Sequence, residues 1–213
     1  MAKGSSSNSK HSKARGTVKS KASKEASKQG SSAKRSGKPS EPASQGVPAS
    51  ANALARGAEV RHWLFKSEPD VFSFQDLQKA AGRRTGWDGV RNYQARNFLR
   101  DDCRVGDLVV FWHSNAEPPH GAGLAKVVRP GHPDPTQFVK GHDHEDPASD
   151  PADPRWMQVE IEALRAFGKP VTMEALRADP RSSGMLLLAK GQRLSIQPLT
   201  REQYELVLEL GAG

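Results

Sequence analysis

His62-Trp-Leu-Phe-Lys-Ser-Glu-Pro69 is the first stretch of this chain that can build a core. Its first five residues form a short apolar-aromatic run suited to a central strand. Pro69 has no N–H to give to a neighbouring strand, so the ladder stops there. Lys66, Ser67 and Glu68 then stand where the chain leaves the sheet. A cation, a hydroxyl and a carboxylate fixed by a strand can wall a pocket, or they can mark a solvated strand exit. The segment alone does not choose between these readings.

Downstream, Ser73 stands as a helix cap before Phe74, Leu77 and Ala80 at helical spacing, and Gly82 ends that helix. Gly82 to Arg91 is a glycine-punctuated loop carrying Trp87, and Asn92 caps a second helix with Ala95, Phe98 and Leu99 facing inward. Asp107 to His113 reads as a strand after a turn at Gly106, with Gly121 to Val128 as its antiparallel neighbour. Residues 130–154 are dense in Pro, Asp and His and are expected to form a long exposed loop. From Trp156 to Ala163 the chain alternates, with Trp156, Gln158, Glu160 and Glu162 on one side and Met157, Val159, Ile161 and Ala163 on the other. A helix near Met173 to Ala178, a short strand Leu194 to Gln197, and a closing helix capped by Thr200 and running through Leu210 complete the order. Strands outnumber helices, no repeat occurs and no βαβ alternation is present. The expected class is α+β, a small mixed barrel flanked by helices.

Upstream of this region the composition changes. Residues 1–58 contain no Phe, Trp or Tyr, and Leu54 is their one large aliphatic residue besides two valines. Such a segment cannot bury enough apolar surface to offset ordering entropy, so disorder is expected. Of the 32 Lys+Arg and 24 Asp+Glu of the whole chain, 12 and 2 fall in this arm, leaving 20 and 22 for residues 59–213. The net charge of +8 is therefore an arm of +10 and a domain of −2. A lysine-rich arm adds salt-sensitive affinity for phosphate backbones without reading sequence. The single cysteine, Cys103, excludes an internal disulfide and fits a reducing compartment. No apolar run reaches the ~20 residues of a membrane span, and no secretory h-region is visible. A soluble monomer without membrane contact is expected.

Polar residues at the strand exits supply the remaining candidates. Trp87 in its loop either plugs the core or walls a ligand site, and the core reading leads on that segment alone. Asn92 and Tyr93 could hydrogen-bond a base edge, while Arg91, Arg96 and Arg100 could meet phosphates. Ser114 and Asn115, at the end of the Phe111-Trp112-His113 run, supply donors and acceptors together. Arg193 and Ser195 lead into the last strand.

Five stretches taken together resemble the EVE domain. They are WLFKSEP (63–69), WDGVRNYQARNFLR (87–100), FWHSN (111–115), PRWMQV (154–159) and LLLAKGQRLSIQP (186–198), in family order across about residues 61–210. The resemblance implies a PUA-like fold, related to that of the YTH readers of methylated adenosine, with residues 59–213 as the domain and 1–58 as an added basic arm. It further implies a pocket for an extruded modified base, 5-methyl- or 5-hydroxymethylcytosine in DNA ahead of a base in modified RNA. Carried over by motif, Lys66, Ser67 and Glu68 line one side and Trp87 supplies the stacking wall. Asn92, Tyr93, Ser114, Asn115, Arg193 and Ser195 complete the pocket, with Arg91, Arg96 and Arg100 as the phosphate contacts. The chain departs from the family after Pro130, where lysine-rich text is usual and Gly-His-Asp-His-Glu-Asp-Pro stands instead (141–147). That departure weakens any phosphate grip by this loop.

Rival readings are a structural nucleoid protein whose arm alone binds DNA, and an enzyme acting on a modified nucleotide. For the second, Glu68 with Asp88 is the available carboxylate pair, but no spacing requires it. His113 and Ser114 are adjacent without a Gly-x-Ser-x-Gly elbow. His142-Asp-His-Glu-Asp146 could hold a metal weakly, yet no strand or helix imposes ligand geometry there, and a solvated loop is favoured. The expectation is a non-catalytic reader with no cofactor and no metal, nucleoid-associated in a bacterial cytoplasm or nuclear in a eukaryote.

Overall fold

A computed structural model describes residues 59–213, and the basic arm expected over 1–58 lies outside the described residues. Six strands form one mixed sheet: β1 (His62–Ser67), β2 (Arg84–Gly86), β3 (Leu108–His113), β4 (His120–Pro133), β5 (Met157–Thr172) and β6 (Ile196–Leu199). Their order is β2-β5-β4-β3-β1-β6, with β1 and β3 parallel and the other neighbours antiparallel. Four short helices accompany them: α1 (Phe74–Lys79), α2 (Tyr93–Asn97), α3 (Met173–Arg177) and α4 (Arg201–Gly211).

The unbroken apolar runs of β1 and β3 follow from burial on both faces. Trp63, Phe65, Val109 and Phe111 point into the concave side, where Val127, Val159 and Ile161 meet them. Leu64, Val110 and Trp112 point the other way, into a second cluster with Leu176 of α3 and Leu206 and Val207 of α4. The sheet is strongly coiled, and one contact shows how far. Trp87 directly follows β2 at one edge, yet its ring lies 5.2 Å from Phe65 of β1 and 5.3 Å from Phe111 of β3. Strands far apart in the sheet order thus face each other across one core, giving a barrel-like body with α3 and α4 outside. Register shifts at several points along β4 and β5 supply the bend.

Local capping follows the sequence. Ser73 accepts from the Asp76 amide, Asn92 from Ala95 and Thr200 from Gln203, and Ser73 and Thr200 each belong to a full capping box. After Asn97 the coil loosens into a π turn over Phe98–Asp102.

Three features differ from expectation. The three-residue β2 lies inside the region expected to be loop, where Thr85 and Gly86 carry no apolar alternation to announce a strand. β4 and β5 run beyond Val128 and Ala163, to Pro133 and Thr172. Residues 130–154 are not a purely exposed loop, since Asp134 and Gln137 are fully buried. Their polarity is satisfied internally rather than by water. The Gln137 side chain donates to the Asp134 and Trp156 carbonyls at 2.6 and 2.9 Å and accepts from the Trp156 amide at 3.0 Å. The Trp156 indole donates to Asp146 at 2.7 Å, and Arg155 pairs with the same carboxylate at 3.0 Å. Composition signals solvent preference; it does not register polar groups that can serve one another.

Candidate functional site

The exit of β1 and the segment after β2 face each other across a cavity of about 700 Å³, in the size range of small-molecule sites. Lys66 and Ser67 line it from β1, Glu68 from the turn that follows, Trp87 and Asn92 from the segment after β2, and Ser195 from the approach to β6. Six of the ten residues expected in the pocket thus share one cavity. Tyr93, Ser114, Asn115 and Arg193 lie outside its lining.

Each wall has a local cause. The Lys66 amide donates to the Ser195 carbonyl at 2.9 Å, which ties β1's exit to the segment before β6. The Ser67 hydroxyl donates to the Phe72 carbonyl at 2.6 Å and so closes the turn over residues 68–72. Ser114, though outside the lining, braces this corner, because its amide donates to the Ser67 carbonyl at 2.8 Å. Lys66 is half-buried and has no carboxylate partner among the described residues, and loss of hydration pushes its ammonium below the usual lysine range. An unpaired, partly dehydrated cation is a donor waiting for an acceptor.

Across the cavity, the Trp87 amide donates to the Val159 carbonyl at 2.7 Å, extending the β2–β5 ladder by one residue. The indole is 7% exposed, so it plugs the core against Phe65 and Phe111 while turning its remaining surface to the cavity. The two sequence readings of Trp87 are compatible. Asn92 uses its side-chain oxygen to cap α2, leaving its amide N–H groups without a hydrogen bond among the described residues.

The arginines expected at phosphates are engaged within the protein. Arg91 pairs with buried Asp134 at 2.8 Å and also donates to the His144 carbonyl. Arg96 donates to Asn97 and to the Arg155 carbonyl at 2.8 Å, and its guanidinium lies 5.1 Å over the Tyr93 ring. Arg100 pairs with Asp101 at 2.7 Å. Arg100 is exposed and Arg96 partly so, while Arg91 both pairs with Asp134 and lines the cavity.

Two further lining residues, Asp88 and His144, are not among those expected in the pocket. Asp88 follows Trp87, inside a motif whose tryptophan and arginines carry the sequence signal. His144 belongs to the stretch expected to be solvated loop, and folds back so that its ring rests on Gly89. A Cβ at Gly89 would come within 2.3 Å of that ring. No sequence signal links His144 to Gly89, because the approach depends on Asp134 drawing the two segments together.

The EVE domain profile matches residues 61–210, from the start of β1 to the end of α4. The chain belongs to the EVE domain family. Among curated relatives, thymocyte nuclear protein 1 from Homo sapiens is 42% identical over 165 residues, covering 70% of this chain and 73% of that protein. The crystal structure of human THYN1 protein in complex with 5-methylcytosine-containing DNA superposes with a TM-score of 0.68 at 40% identity, over 72% of this chain and 98% of that one. An X-ray structure of a protein from Pseudomonas putida gives a TM-score of 0.67 at 36% identity, over 70% and 99% of the two chains. The EVE domain here has its cavity at the exit of β1, bounded by three of the motifs that carry the family resemblance.

Proposed function

We propose that this EVE domain is a non-catalytic reader that takes a flipped-out modified base, 5-methyl- or 5-hydroxymethylcytosine in DNA, into the cavity beside Trp87. One observation carries the reading: an aromatic wall and an unpaired Lys66 share a cavity of about 700 Å³, room enough for a nucleobase. The human THYN1 structure, which contains 5-methylcytosine DNA, supports DNA as the partner. Lys66, Ser67, Glu68, Trp87, Asn92 and Ser195 are the proposed base contacts, with Arg96 and Arg100 as surface cations for the backbone. The arm adds non-specific affinity, the protein acts as a monomer, and it works where DNA is, in a nucleus or a nucleoid.

The test is a binding series with the full chain and duplexes identical except for one cytosine, unmodified, 5-methylated or 5-hydroxymethylated, at several salt concentrations. Tighter binding to a modified duplex at every salt concentration is expected. Equal affinities throughout would overturn the reading, and tighter binding to the matching modified RNA would move it to RNA. Turnover of a modified nucleotide, lost in Glu68→Gln, would replace binding with catalysis.

A further inference from the structure

5-Methylcytosine poses a selectivity problem that a methyl-sized pocket cannot solve. Thymine carries the same 5-methyl group on the same ring and is abundant in DNA. The two bases differ at the 4-position, where cytosine presents an amino donor and thymine a carbonyl acceptor. A reader of methylated cytosine needs a hydrogen-bond acceptor at that edge, placed so that thymine's O4 meets repulsion.

We infer that Asp88 is that acceptor, and that its carboxylate separates 5-methylcytosine from thymine by accepting from the 4-amino group. The inference rests on the base-reader proposal above and adds a specificity residue to it. Asp88 lines the cavity and is the next residue after the stacking wall, Trp87. Its position is fixed from both sides, by the Trp87 amide on the Val159 carbonyl at 2.7 Å and by the Gly89 amide on Asp134 Oδ2 at 3.0 Å. Unlike the neighbouring Asp134 carboxylate, which accepts from several donors, Asp88 makes no hydrogen bond or ion pair among the described residues. Its acceptors are free for a ligand. Crowding by the surrounding protein, then the nearby Asp134 charge, raises its carboxyl above the usual carboxylate range. A carboxylate in that condition gains from a new donor. Lys66 on the facing wall is the matching free donor for the acceptor atoms of the same base edge. Glu68, on the turn after β1, is the rival acceptor in the lining, whereas Asp88 is covalently next to the stacking wall.

The experiment measures full-chain binding to duplexes carrying 5-methylcytosine, cytosine or thymine at one position, always opposite guanine. Wild type is compared with Asp88→Asn and Glu68→Gln; the cost of flipping each base cancels between proteins. Wild type should prefer 5-methylcytosine to thymine by on the order of tenfold or more. A carboxamide at this position can present either its carbonyl or its amino group, so D88N should lower that ratio by on the order of tenfold relative to wild type while keeping the preference for 5-methylcytosine over cytosine. E68Q, which alters another proposed base contact, should lower the thymine ratio less than D88N does. D88A, which removes the side-chain acceptor, should behave as D88N does and provides a second readout if D88N folds poorly.

An unchanged thymine ratio in D88N and D88A, or a larger loss of discrimination in E68Q than in D88N, would overturn the role of Asp88 while leaving the reader proposal standing. A wild type that does not separate 5-methylcytosine from cytosine would remove both.

Discussion

The Arg91 guanidinium meets the Asp134 carboxylate at 2.8 Å, and the acidic partner has no exposure to solvent. The same carboxylate accepts from the Gly89 amide at 3.0 Å and from the Thr136 amide and hydroxyl at 2.8 and 2.6 Å. It therefore joins the cavity wall at residues 89–91 to the chain after β4, and the Arg91 it anchors donates in turn to the His144 carbonyl.

Removing one member of a buried ion pair strands the other, at a cost of about 3–5 kcal/mol. Asp134→Ala should lose that much in a urea unfolding series, a large share of the roughly 5–15 kcal/mol of a typical domain. Burial alone would raise the Asp134 carboxyl, but hydrogen bonds from Thr136, Arg91 and Gly89 outweigh it and leave it below the ordinary range. Its contribution is accordingly full above the ordinary aspartate value and lost as pH falls through the lower folded value. An Asp134→Ala protein whose stability declines as steeply as wild type in acid would contradict this.

Gly89 has φ +71°, and its missing Cβ is where the His144 ring sits. Gly89→Ala should destabilise the domain by roughly 1–2 kcal/mol from backbone strain alone. It should also displace His144, so the His144 ring resonances should shift in NMR spectra. Unchanged His144 shifts would show that the ring does not depend on Gly89.

His113 gives a second pH dependence. Its Nε2 accepts the Phe74 amide at 3.0 Å at the start of α1, so that nitrogen must be unprotonated. Burial, then the neighbouring His120, depresses its pKa below the ordinary 6.5. The unfolded chain thus binds a proton that the folded chain refuses, and stability falls as pH drops below about 6.5 toward the folded value. His113→Gln keeps an acceptor without the titration. Its unfolding free energy should decline less than wild type's as the solution is taken from neutral to mildly acidic pH. The His62 contribution, also depressed, cancels in the comparison. Parallel curves would count against His113.

Trp87 serves both core and cavity, and the two roles can be separated. Trp87→Ala should cost about 3–5 kcal/mol of stability along with base preference. Trp87→Phe should fold, keep a smaller stacking wall and retain part of the preference, base–aromatic stacking being worth roughly 1–3 kcal/mol. Full preference in a folded Trp87→Ala protein would remove the stacking wall from the proposal.

Deleting residues 1–58 should weaken DNA binding overall and flatten its salt dependence while leaving the modified-to-unmodified ratio intact. The arm holds 12 Lys+Arg. An unchanged salt slope would remove it from the binding.

Much of this architecture is local and therefore legible in the sequence. Period-two alternation matches burial from Val159 to Ala163, whereas Gln158 on the opposite face is buried as well and Met157 only partly so; the caps at Ser73, Asn92 and Thr200 work through atoms three residues away. Lys66, Ser67 and Glu68 can be nominated because a strand followed by Pro69 fixes where polar side chains emerge. Asp88 is legible in the sequence only as a carboxylate partner for Glu68, and His144 cannot be nominated at all, since its membership of the cavity depends on contacts across the fold.

Sequence alone determined the composition break near residue 58, the α+β class, the family resemblance and the strand exits that carry polar groups, because each depends on neighbours along the chain. Tertiary structure decided which of those groups share a cavity, and that Arg91 faces a carboxylate inside the protein. It also decided that 130–154 folds back instead of extending into solvent. The physical reason is the Asp134 carboxylate. Its donors come from segments more than 40 residues apart as well as from Thr136 beside it, and only the coiled sheet brings them within hydrogen-bonding reach.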